Sequence, residues 1–312
     1  MRVTIIGLGL IGGSLGLALR RREIAKEIVG HDKNHSAARR ARQIGAIDRA
    51  EWNLPASVEK SDLVVIAAPI GEIKDIFSQI CSYLPSGCVV TDVASTKRQV
   101  IDWADESFPE GISFVGGHPM AGKEESGIEA ATPDLFVSAT YCIIPSRRAA
   151  PQAIDLLTSV VKEIGANPFF IDPVEHDSFV AAVSHLPFIA AAGLVNTVAN
   201  SQSWRDLSRL AATGFRDTSR LASGNPVMHR DICRTNRDNI LRWLDTYIAQ
   251  LTEMRELIAI EDAALEEAFR RAKESRDAWL EHKGNEAAID IPSGGRQIKQ
   301  MFFGDLRRKE KK

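Results

Sequence analysis

Residues 3–12 read VTIIGLGLIG, an apolar run that passes directly into a glycine-rich turn near the start of the chain. The run is rich in β-branched residues, which predicts a buried strand, and the glycines follow the spacing GxGxxG. The first glycine permits a tight turn, the second lets the backbone approach a pyrophosphate, and the third allows close helix–strand packing. A helix beginning here points its N–H groups at phosphates. The turn therefore predicts a dinucleotide site formed by Gly7, Leu8, Gly9, Leu10, Ile11 and Gly12.

The first half of the chain continues this pattern outward from the glycine-rich turn. Apolar runs of strand length occur at Val3–Ile6, Glu27–Gly30, Leu63–Ala67, Val89–Thr91, Ser113–Val115, Tyr141–Ile144 and Pro168–Ile171. Helical patterns lie between several of them, at Ser14–Arg22, Ser36–Ile44 and Ala150–Ile164. Nearly continuous apolar strands separated by helices predict a mostly parallel sheet covered on both faces. We therefore expect an α/β fold with an N-terminal Rossmann-like dinucleotide-binding domain over residues 1–172.

The chain changes character after Asp172-Pro173, where the remaining segments read as helical. The first of them is Val174–Ser201, and Asn236–Lys273 carries apolar residues at spacings of three and four, which predicts one long helix with one apolar stripe. So long a helix on a small domain is expected to pack against a second chain, with packing inside one chain as the alternative. We expect an all-α dimerisation domain over 173–285 and a C-terminal tail over 286–312.

Composition sets limits on the class of protein. The 312 residues carry a formal net charge of −2 and are 44% hydrophobic, which does not favour a nucleic-acid partner. The four cysteines show neither disulfide nor zinc spacing, so we expect no metal site. Met1 leads straight into the first strand, and no uninterrupted apolar stretch reaches the roughly 18 residues of a membrane span. These features predict a soluble, cytoplasmic protein with no membrane partner.

The preference between the two nicotinamide dinucleotides depends on Asp32. This carboxylate ends the second predicted strand, about 20 residues past the glycine-rich turn, where it can accept hydrogen bonds from the ribose of NAD and repel the 2′-phosphate of NADP. Lys33 and the pair Arg39-Arg40 lie close by and could accommodate that phosphate instead. The sequence favours NAD, with NADP as the alternative. Ala68 and Pro69, which follow the next apolar run, are further candidates for contact with the cofactor.

Four further motifs follow the glycine-rich turn in order: DVASTK at 92–97, GGHPMAG at 116–122, SHLP at 184–187 and GFRDTSR at 214–220. In series they resemble the prephenate/arogenate dehydrogenase family, over residues 1 to about 280. The resemblance implies an NAD-dependent oxidative decarboxylation of prephenate to 4-hydroxyphenylpyruvate, or of arogenate to tyrosine, within tyrosine biosynthesis. It also implies a homodimer formed by the helical domain and an active site between the two domains.

The motifs offer two candidates for the chemistry itself. His118 in GGHPMAG is our candidate for the proton acceptor, because its pKa range suits abstraction near neutral pH. A histidine held in place for structural reasons is the alternative. Ser95 in DVASTK looks like the family residue that hydrogen-bonds the substrate hydroxyl and orients the histidine, and it is also a candidate for contact with the cofactor. Capping of the following helix is the alternative for this serine.

The later motifs supply candidates for substrate binding. Arg220 is expected to clamp the ring carboxylate, since a guanidinium binds a carboxylate bidentately, and Arg216 is its rival. Asp217 and Glu124 match acidic residues that line the family site, or form an interdomain salt bridge instead. The remaining candidates are Gly214, from the same motif as the arginines, and His185 in SHLP.

Two positions leave the choice of substrate open. Some family members carry a histidine where this chain has Phe188, and some prephenate-using relatives carry a tryptophan where it has His229. The segment around Gly214–Arg220 looks closer to relatives that use arogenate. The sequence therefore does not separate prephenate from arogenate.

Two other classes of function remain as alternatives. A dehydrogenase of the β-hydroxyacid type would rely on a helix-borne lysine, and Lys162 is the candidate near the domain junction, without a supporting motif. A non-enzymatic NAD-binding redox sensor would need the nucleotide domain but no converging histidine, serine and arginine.

Overall fold

A computed structural model of the chain describes residues 1–123, 125–260 and 263–286, with side chains described as far as residue 281. The chain divides into two compact units, Met1–Ile240 and Leu241–Lys312. The expected site residues that are described all lie in the first unit, while Glu124 and most of the expected C-terminal tail lie outside the described residues.

The first unit is built on one eight-stranded sheet. Its strands are β1 (Arg2–Ile6), β2 (Glu27–His31), β3 (Arg49–Ala50), β4 (Leu63–Ile66), β5 (Val89–Asp92), β6 (Ser113–Pro119), β7 (Thr140–Pro145) and β8 (Asn167–Phe170). Their order is β3-β2-β1-β4-β5-β6-β7-β8, and every neighbouring pair is parallel except β6 and β7. The predicted mostly parallel sheet of an α/β fold is confirmed.

Helices alternate with the strands and then continue alone. Those between strands are α1 (Leu10–Arg21), α2 (His35–Gln43), α3 (Leu54–Val58), α4 (Ile70–Ile80), α5 (Arg98–Ser107) and α6 (Pro151–Glu163). The later ones are α7 (Pro173–Val180), α8 (Leu186–Ala199), α9 (Trp204–Leu210), α10 (Thr213–Ser219), α11 (Pro226–Thr235), α12 (Arg237–Ala259) and α13 (Ala264–Glu286), with a π-helical turn at Ala181–His185 joining α7 to α8. The C-terminal part is helical, as predicted.

The central strands are buried on both faces, which explains their unbroken apolar character. Val3 and Ile5 of β1 and Leu63 of β4 have no exposed surface. Because β2 pairs with one edge of β1 and β4 with the other, the sheet grows in both directions from β1. Ligands of such sheets bind in the crevice at the carboxyl ends of the strands flanking this point. The glycine-rich turn and Ala68-Pro69 both lie at that edge.

The secondary structure corrects the sequence analysis in three places. The two-residue strand β3 is too short to show as an apolar run, and nothing in the sequence pattern signalled that β7 would run antiparallel. The single long helix predicted over Asn236–Lys273 is wrong, because α12 ends at Ala259 and α13 begins at Ala264. Its predicted start agrees with the structure, since Asn236 has φ −127° and ψ 33° and separates α11 from α12.

The helical segment Pro173–Ala199 is long and apolar enough, by length and composition alone, to cross a membrane. The expectation that no stretch reaches such a length therefore does not hold for this helix. Three of its polar residues, His176, Asp177 and His185, are buried within the first unit.

Candidate active site

The glycine-rich turn has the geometry that a pyrophosphate requires. Gly7 has a φ of +95°, which L-residues with a side chain rarely adopt. A Cβ on Gly12 would lie 2.0 Å from the carbonyl oxygen of Gly7, whereas no described atom lies within 4 Å of a Cβ built on Gly9. The helix α1 begins at Leu10 with an uncharged first turn, so its N–H groups can bind an anion. These residues fit a dinucleotide.

Asp32 joins the turn to the end of β2. Its Oδ2 atom accepts the N–H of Leu8 at 2.7 Å, and its Oδ1 atom accepts the N–H of Asn34 at 2.7 Å. Each carboxylate oxygen can accept a second hydrogen bond, so capacity remains for ribose hydroxyls. The loop after β4 closes the other side, because a Cβ on Gly7 would lie 2.5 Å from the oxygen of Ala67. Ala68 and Pro69 therefore lie beside the turn, as expected.

Two of the three cations that could have favoured NADP, Lys33 and Arg40, are engaged by acidic side chains. Lys33 forms an ion pair with Glu72, with Nζ 2.8 Å from Oε2. Arg40 donates from Nε to the carboxylate of Glu129 at 2.9 Å and from Nη2 at 3.0 Å. Arg39 is exposed on α2.

His118 lies near the carboxyl end of β6 and is only 7% exposed. Its Nδ1 atom is 2.8 Å from Nε2 of His176 on α7, and the two rings meet edge to face. The Nδ1 atom of His176 is in turn 2.8 Å from Oδ1 of Asp177. The carboxylate of Asp177 also accepts the backbone N–H groups of Lys97 at 2.7 Å and of Arg98 at 3.0 Å. A carboxylate, two imidazoles and the loop before α5 thus form one chain of hydrogen bonds.

The carboxylate fixes the tautomer of both imidazoles. Since Asp177 can only accept, the neutral ring of His176 must donate from Nδ1 and keep a lone pair on Nε2. His118 then donates from Nδ1 to that lone pair, which leaves its own Nε2 as a proton acceptor. This is the arrangement that a general base needs.

A buried ion pair holds the backbone beside His118. Lys97 and Asp92 are completely buried and bonded to each other, and Lys97 Nζ also donates to the carbonyl oxygen of Gly117 at 2.8 Å. Asp92 Oδ1 accepts the N–H of Gly117 at 3.2 Å. Both polar groups of Gly117 are therefore fixed by side chains from the DVASTK motif. The same motif, through its backbone, holds the Asp177 carboxylate.

Burial keeps His118 and His185 neutral. The pKa of His118 is lowered well below 6.5, first because burial disfavours the charged ring and then because His176, Lys97 and His185 lie near it. Burial lowers the pKa of His185 to about 4. Burial also lowers the pKa of Lys97, while the neighbouring Asp92 opposes that shift. His118 is therefore in its proton-accepting form at neutral pH.

The Nε2–H group of His185, beside His176 and Asp177, is a buried hydrogen-bond donor without an acceptor among the described residues. Asn236 Nδ2 donates to the carbonyl oxygen of Asp177 at 2.7 Å and lies 3.2 Å from Nδ1 of His185. Because an amide nitrogen can only donate, His185 accepts at Nδ1 and carries its proton on Nε2. That Nε2 atom is buried and has no hydrogen-bond partner among the described residues. A buried donor without a partner costs about 1–3 kcal/mol, which is the signature of a group that meets a ligand.

Ser95 lies in the loop between β5 and α5, at the same sheet edge as the glycine-rich turn, and is partly exposed. The capping role considered for it does not hold. The helix α5 begins at Arg98 with Lys97 at the capping position, and the Asp177 carboxylate receives the N–H groups of both residues.

The residues of GFRDTSR are not gathered into this cluster. Gly214, Asp217 and Arg220 are exposed in the single chain, and Asp217 forms an ion pair with Arg216 at 3.1 Å. Arg220 begins a 3-10 turn that packs against α8. The water-poor surroundings expected for a carboxylate clamp are thus not formed by the single chain.

The two positions that bear on substrate choice contact each other. The rings of Phe188 and His229 stack with centroids 4.1 Å apart and planes 1° from parallel. The ring of His185 lies 6.0 Å from that of Phe188. A Cβ on Gly224 would lie 2.6 Å from Nε2 of His229, so this glycine makes room for the stacked ring.

Sequence reasoning missed most of the residues that hold His118. Asp92 and Lys97 belong to the DVASTK motif, in which the sequence predicts only Ser95 as a site residue. His176 and Asp177 follow the helix start at Asp172-Pro173, where the sequence pattern predicts a helix and no site residue. A histidine–aspartate pair on an otherwise apolar helix was the available signal, because such groups are seldom buried without partners.

A nucleotide-binding sheet with an oriented, neutral histidine beside its crevice defines an oxidoreductase of the dehydrogenase class. Residues 15–169 match the family described as "Prephenate dehydrogenase, nucleotide-binding domain". Residues 172–272 match "Prephenate dehydrogenase, dimerization domain". The chain therefore belongs to the prephenate dehydrogenase family.

Individual relatives agree with the family match. The prephenate dehydrogenase of Bacillus subtilis (strain 168) is 37% identical over 301 residues, which cover 93% of this chain and 81% of the relative. The crystal structure of A. aeolicus prephenate dehydrogenase with hydroxyphenyl propionate and NAD+ has a TM-score of 0.84 at 29% identity and covers 89% of this chain and 98% of that one.

A Synechocystis arogenate dehydrogenase has a TM-score of 0.75 at 30% identity and covers 89% of this chain and all of that one. The resemblance seen in the four motifs is thus confirmed. The alternatives of a β-hydroxyacid-type dehydrogenase and of a non-enzymatic sensor are set aside.

Proposed function

We propose that this chain catalyses the NAD-dependent oxidative decarboxylation of prephenate or of arogenate, a step of tyrosine biosynthesis. The observation that carries the proposal is the hydrogen-bonded chain from Asp177 through His176 to His118, at the sheet edge that holds the glycine-rich turn. The similarity to enzymes named for each of the two substrates supports the substrate class.

The reaction needs a proton acceptor at a ring hydroxyl that lies para to a ring carboxylate. NAD bound in the crevice supplies the acceptor for the hydride that leaves the hydroxyl-bearing carbon. Nε2 of His118 takes the hydroxyl proton as that hydride leaves. The bond to the carboxylate then breaks, carbon dioxide departs, and the released electron pair makes the ring aromatic. His118 returns its proton to the ring oxygen, so the base ends the cycle unchanged.

The hydrogen-bonded chain assists each proton movement. When Nε2 of His118 takes the proton, the ring becomes positive while Nδ1 still donates to His176. The negative charge of Asp177 lies one imidazole away and stabilises this imidazolium. Because the carboxylate is held by two backbone N–H groups, it keeps its orientation throughout.

The cofactor preference that we propose is NAD. Asp32 directly follows β2 and has spare acceptor capacity, and the neighbouring cations Lys33 and Arg40 are paired with carboxylates. A ribose 2′-hydroxyl can donate to Asp32, whereas a 2′-phosphate would be repelled by it. Ser95 and the residues Ala68 and Pro69 lie at the same edge and are proposed to contact substrate or cofactor.

Substrate binding beyond the base is proposed for five residues. His185 offers a buried N–H at Nε2, which suits an oxygen of the substrate. Arg220 is proposed to hold the ring carboxylate, and its neighbours Gly214 and Asp217 to shape the same region. Glu124 keeps its proposed role from the sequence motif alone. Whether the side chain of the substrate is a 2-oxo acid or an amino acid stays open.

The oligomer that we propose is a cytoplasmic homodimer. The match to a dimerisation domain covers residues 172–272. Large apolar side chains are exposed along α12 and α13 within that range, among them Ile248, Leu251, Ile258 and Phe269. Exposed apolar surface of this kind marks a protein–protein contact. A partner subunit could also supply the burial that the Arg220 region lacks in one chain.

The direct test is turnover by the purified chain. Prephenate and arogenate are each assayed with NAD and with NADP, following reduced cofactor and released carbon dioxide together. We expect equal amounts of the two products with NAD and at least one substrate. Reduced cofactor without carbon dioxide would contradict the decarboxylation, and turnover of neither substrate would contradict the proposed function.

A further inference from the structure

An ion pair bridges the two loops that flank the dinucleotide crevice. Lys33 follows Asp32 directly after β2, and Glu72 lies in the first turn of α4, which follows β4. Their side chains meet with Nζ 2.8 Å from Oε2. Because β2 and β4 lie on opposite sides of β1, the pair joins the two walls of the crevice.

Lys33 is the cation best placed to bind a phosphate on the adenosine ribose. The ribose hydroxyls are expected at Asp32, and a phosphate on the 2′-hydroxyl would lie within reach of the long side chain that follows it. The lysine side chain is 74% exposed, so nothing buries it away from such a phosphate. Glu72, at 39% exposed, is the group that holds it.

We propose that Glu72 is a specificity-determining residue for the dinucleotide, which disfavours NADP by occupying Lys33. A 2′-phosphate would have to break the ion pair before it could use the lysine, whereas the 2′-hydroxyl of NAD does not meet this cost. The inference rests on the proposed use of NAD.

The substitution Glu72→Gln tests this without endangering the fold. An exposed ion pair contributes little to folding stability, so the variant is expected to fold as the parent does. Glutamine keeps the size of the side chain while it removes the charge that holds Lys33. We expect the ratio of the dissociation constants for NADP and NAD to fall about tenfold, the size expected when one charge changes near a phosphate in a partly solvated site.

The measurement is equilibrium binding by titration calorimetry on the full chain, with NAD and NADP and with AMP and 2′,5′-ADP as the corresponding adenosine fragments. In the double variant Lys33→Met with Glu72→Gln, the ratio of the two dissociation constants is expected to return to that of the parent, because the released cation is absent. A matched control is Glu106→Gln, which removes an exposed carboxylate of α5 that is paired with Lys74 of α4. That control is expected to leave the ratio unchanged.

Three outcomes would overturn the proposal. The ratio of the dissociation constants for NADP and NAD could stay unchanged in Glu72→Gln, or it could fall equally in Glu106→Gln. It could also stay lowered in the double variant, in which Lys33 is replaced as well. Failure of the proposed function gives a different result, because binding is measured without substrate. If prephenate and arogenate are not turned over while the ratio still falls in Glu72→Gln, the role of Glu72 stands and the proposed reaction fails.

Discussion

Nδ1 of His118 lies 2.8 Å from Nε2 of His176, and both rings are buried. The contact turns a strand histidine into a directed base, because the bond from His176 to Asp177 dictates which nitrogen of each ring carries the proton. The first two predictions concern this relationship.

Replacement of the base should separate chemistry from cofactor binding. In His118→Asn, we expect kcat to fall by about 10²–10⁴, the usual contribution of a positioned acid–base group. The dissociation constant for NAD, measured by calorimetry, should stay near that of the parent, since the glycine-rich turn is unaltered. Near-normal turnover in this variant would rule out His118 as the proton acceptor.

Replacement of His176 should weaken the base and shift its titration. In His176→Leu, we expect kcat to fall about 10- to 100-fold, as for the loss of an orienting hydrogen bond. The parent should lose kcat/KM only well below pH 6.5, because the pKa of His118 is lowered and its neutral form is the active one. Besides burial, the neighbouring His176, Lys97 and His185 lower the pKa of His118, and loss of His176 removes one of these contributions.

The acid limb of the pH profile should therefore move to higher pH in His176→Leu. A variant that is merely less well folded would lose activity at every pH and leave the limb where it was. An unmoved limb together with normal kcat would show that His176 has no part in positioning His118.

The buried His185 should make the fold sensitive to acid. Its pKa is about 4 in the folded chain, against about 6.5 when unfolded, so the unfolded chain binds a proton more readily between these values. Its destabilising effect is absent above pH 6.5 and grows as the pH falls towards 4, to about 3 kcal/mol in total. Urea unfolding of the parent and of His185→Gln at pH 7.5 and pH 4.5 measures this.

We expect the parent to lose more unfolding free energy than His185→Gln over that interval. His118 contributes in the same direction in both proteins, so the difference between them isolates His185. Equal losses in the two proteins would contradict the lowered pKa of His185.

The sequence could predict what depends on local pattern. The strand before Gly7 and the strands β4 and β5 can be predicted from their apolar runs, because strands buried on both faces must be apolar throughout. The carboxyl edge of a parallel sheet also brings Asp32 and Ser95 to one side of the fold. His118 lies near the end of β6, at the same edge of the sheet, and its role as the base stays a prediction.

What the sequence could not predict are contacts between distant segments. His176 is separated from His118 by the whole of β7, α6 and β8, and the packing of α7 against α5 brings the rings together. Asn236 makes a similar contact, because its side chain donates to the carbonyl oxygen of Asp177 and lies 3.2 Å from Nδ1 of His185, and periodicity does not register such tertiary contacts.

The last prediction separates two arginines of one motif. The ring carboxylate must stay bound until it leaves, and Arg220 begins the turn that packs against α8, which follows His185 directly. Arg216 is instead engaged with Asp217 on an exposed surface. Hydrogen bonds to a charged group contribute about 1.5–3 kcal/mol, so Arg220→Ala should raise KM about 10- to 100-fold at saturating NAD.

Arg216→Ala is the matched control and should change KM little. The pH dependence set by His118 should survive in both variants, because neither touches the base. A larger KM effect in Arg216→Ala would reverse the assignment, and unchanged KM in both would show that another group holds the carboxylate.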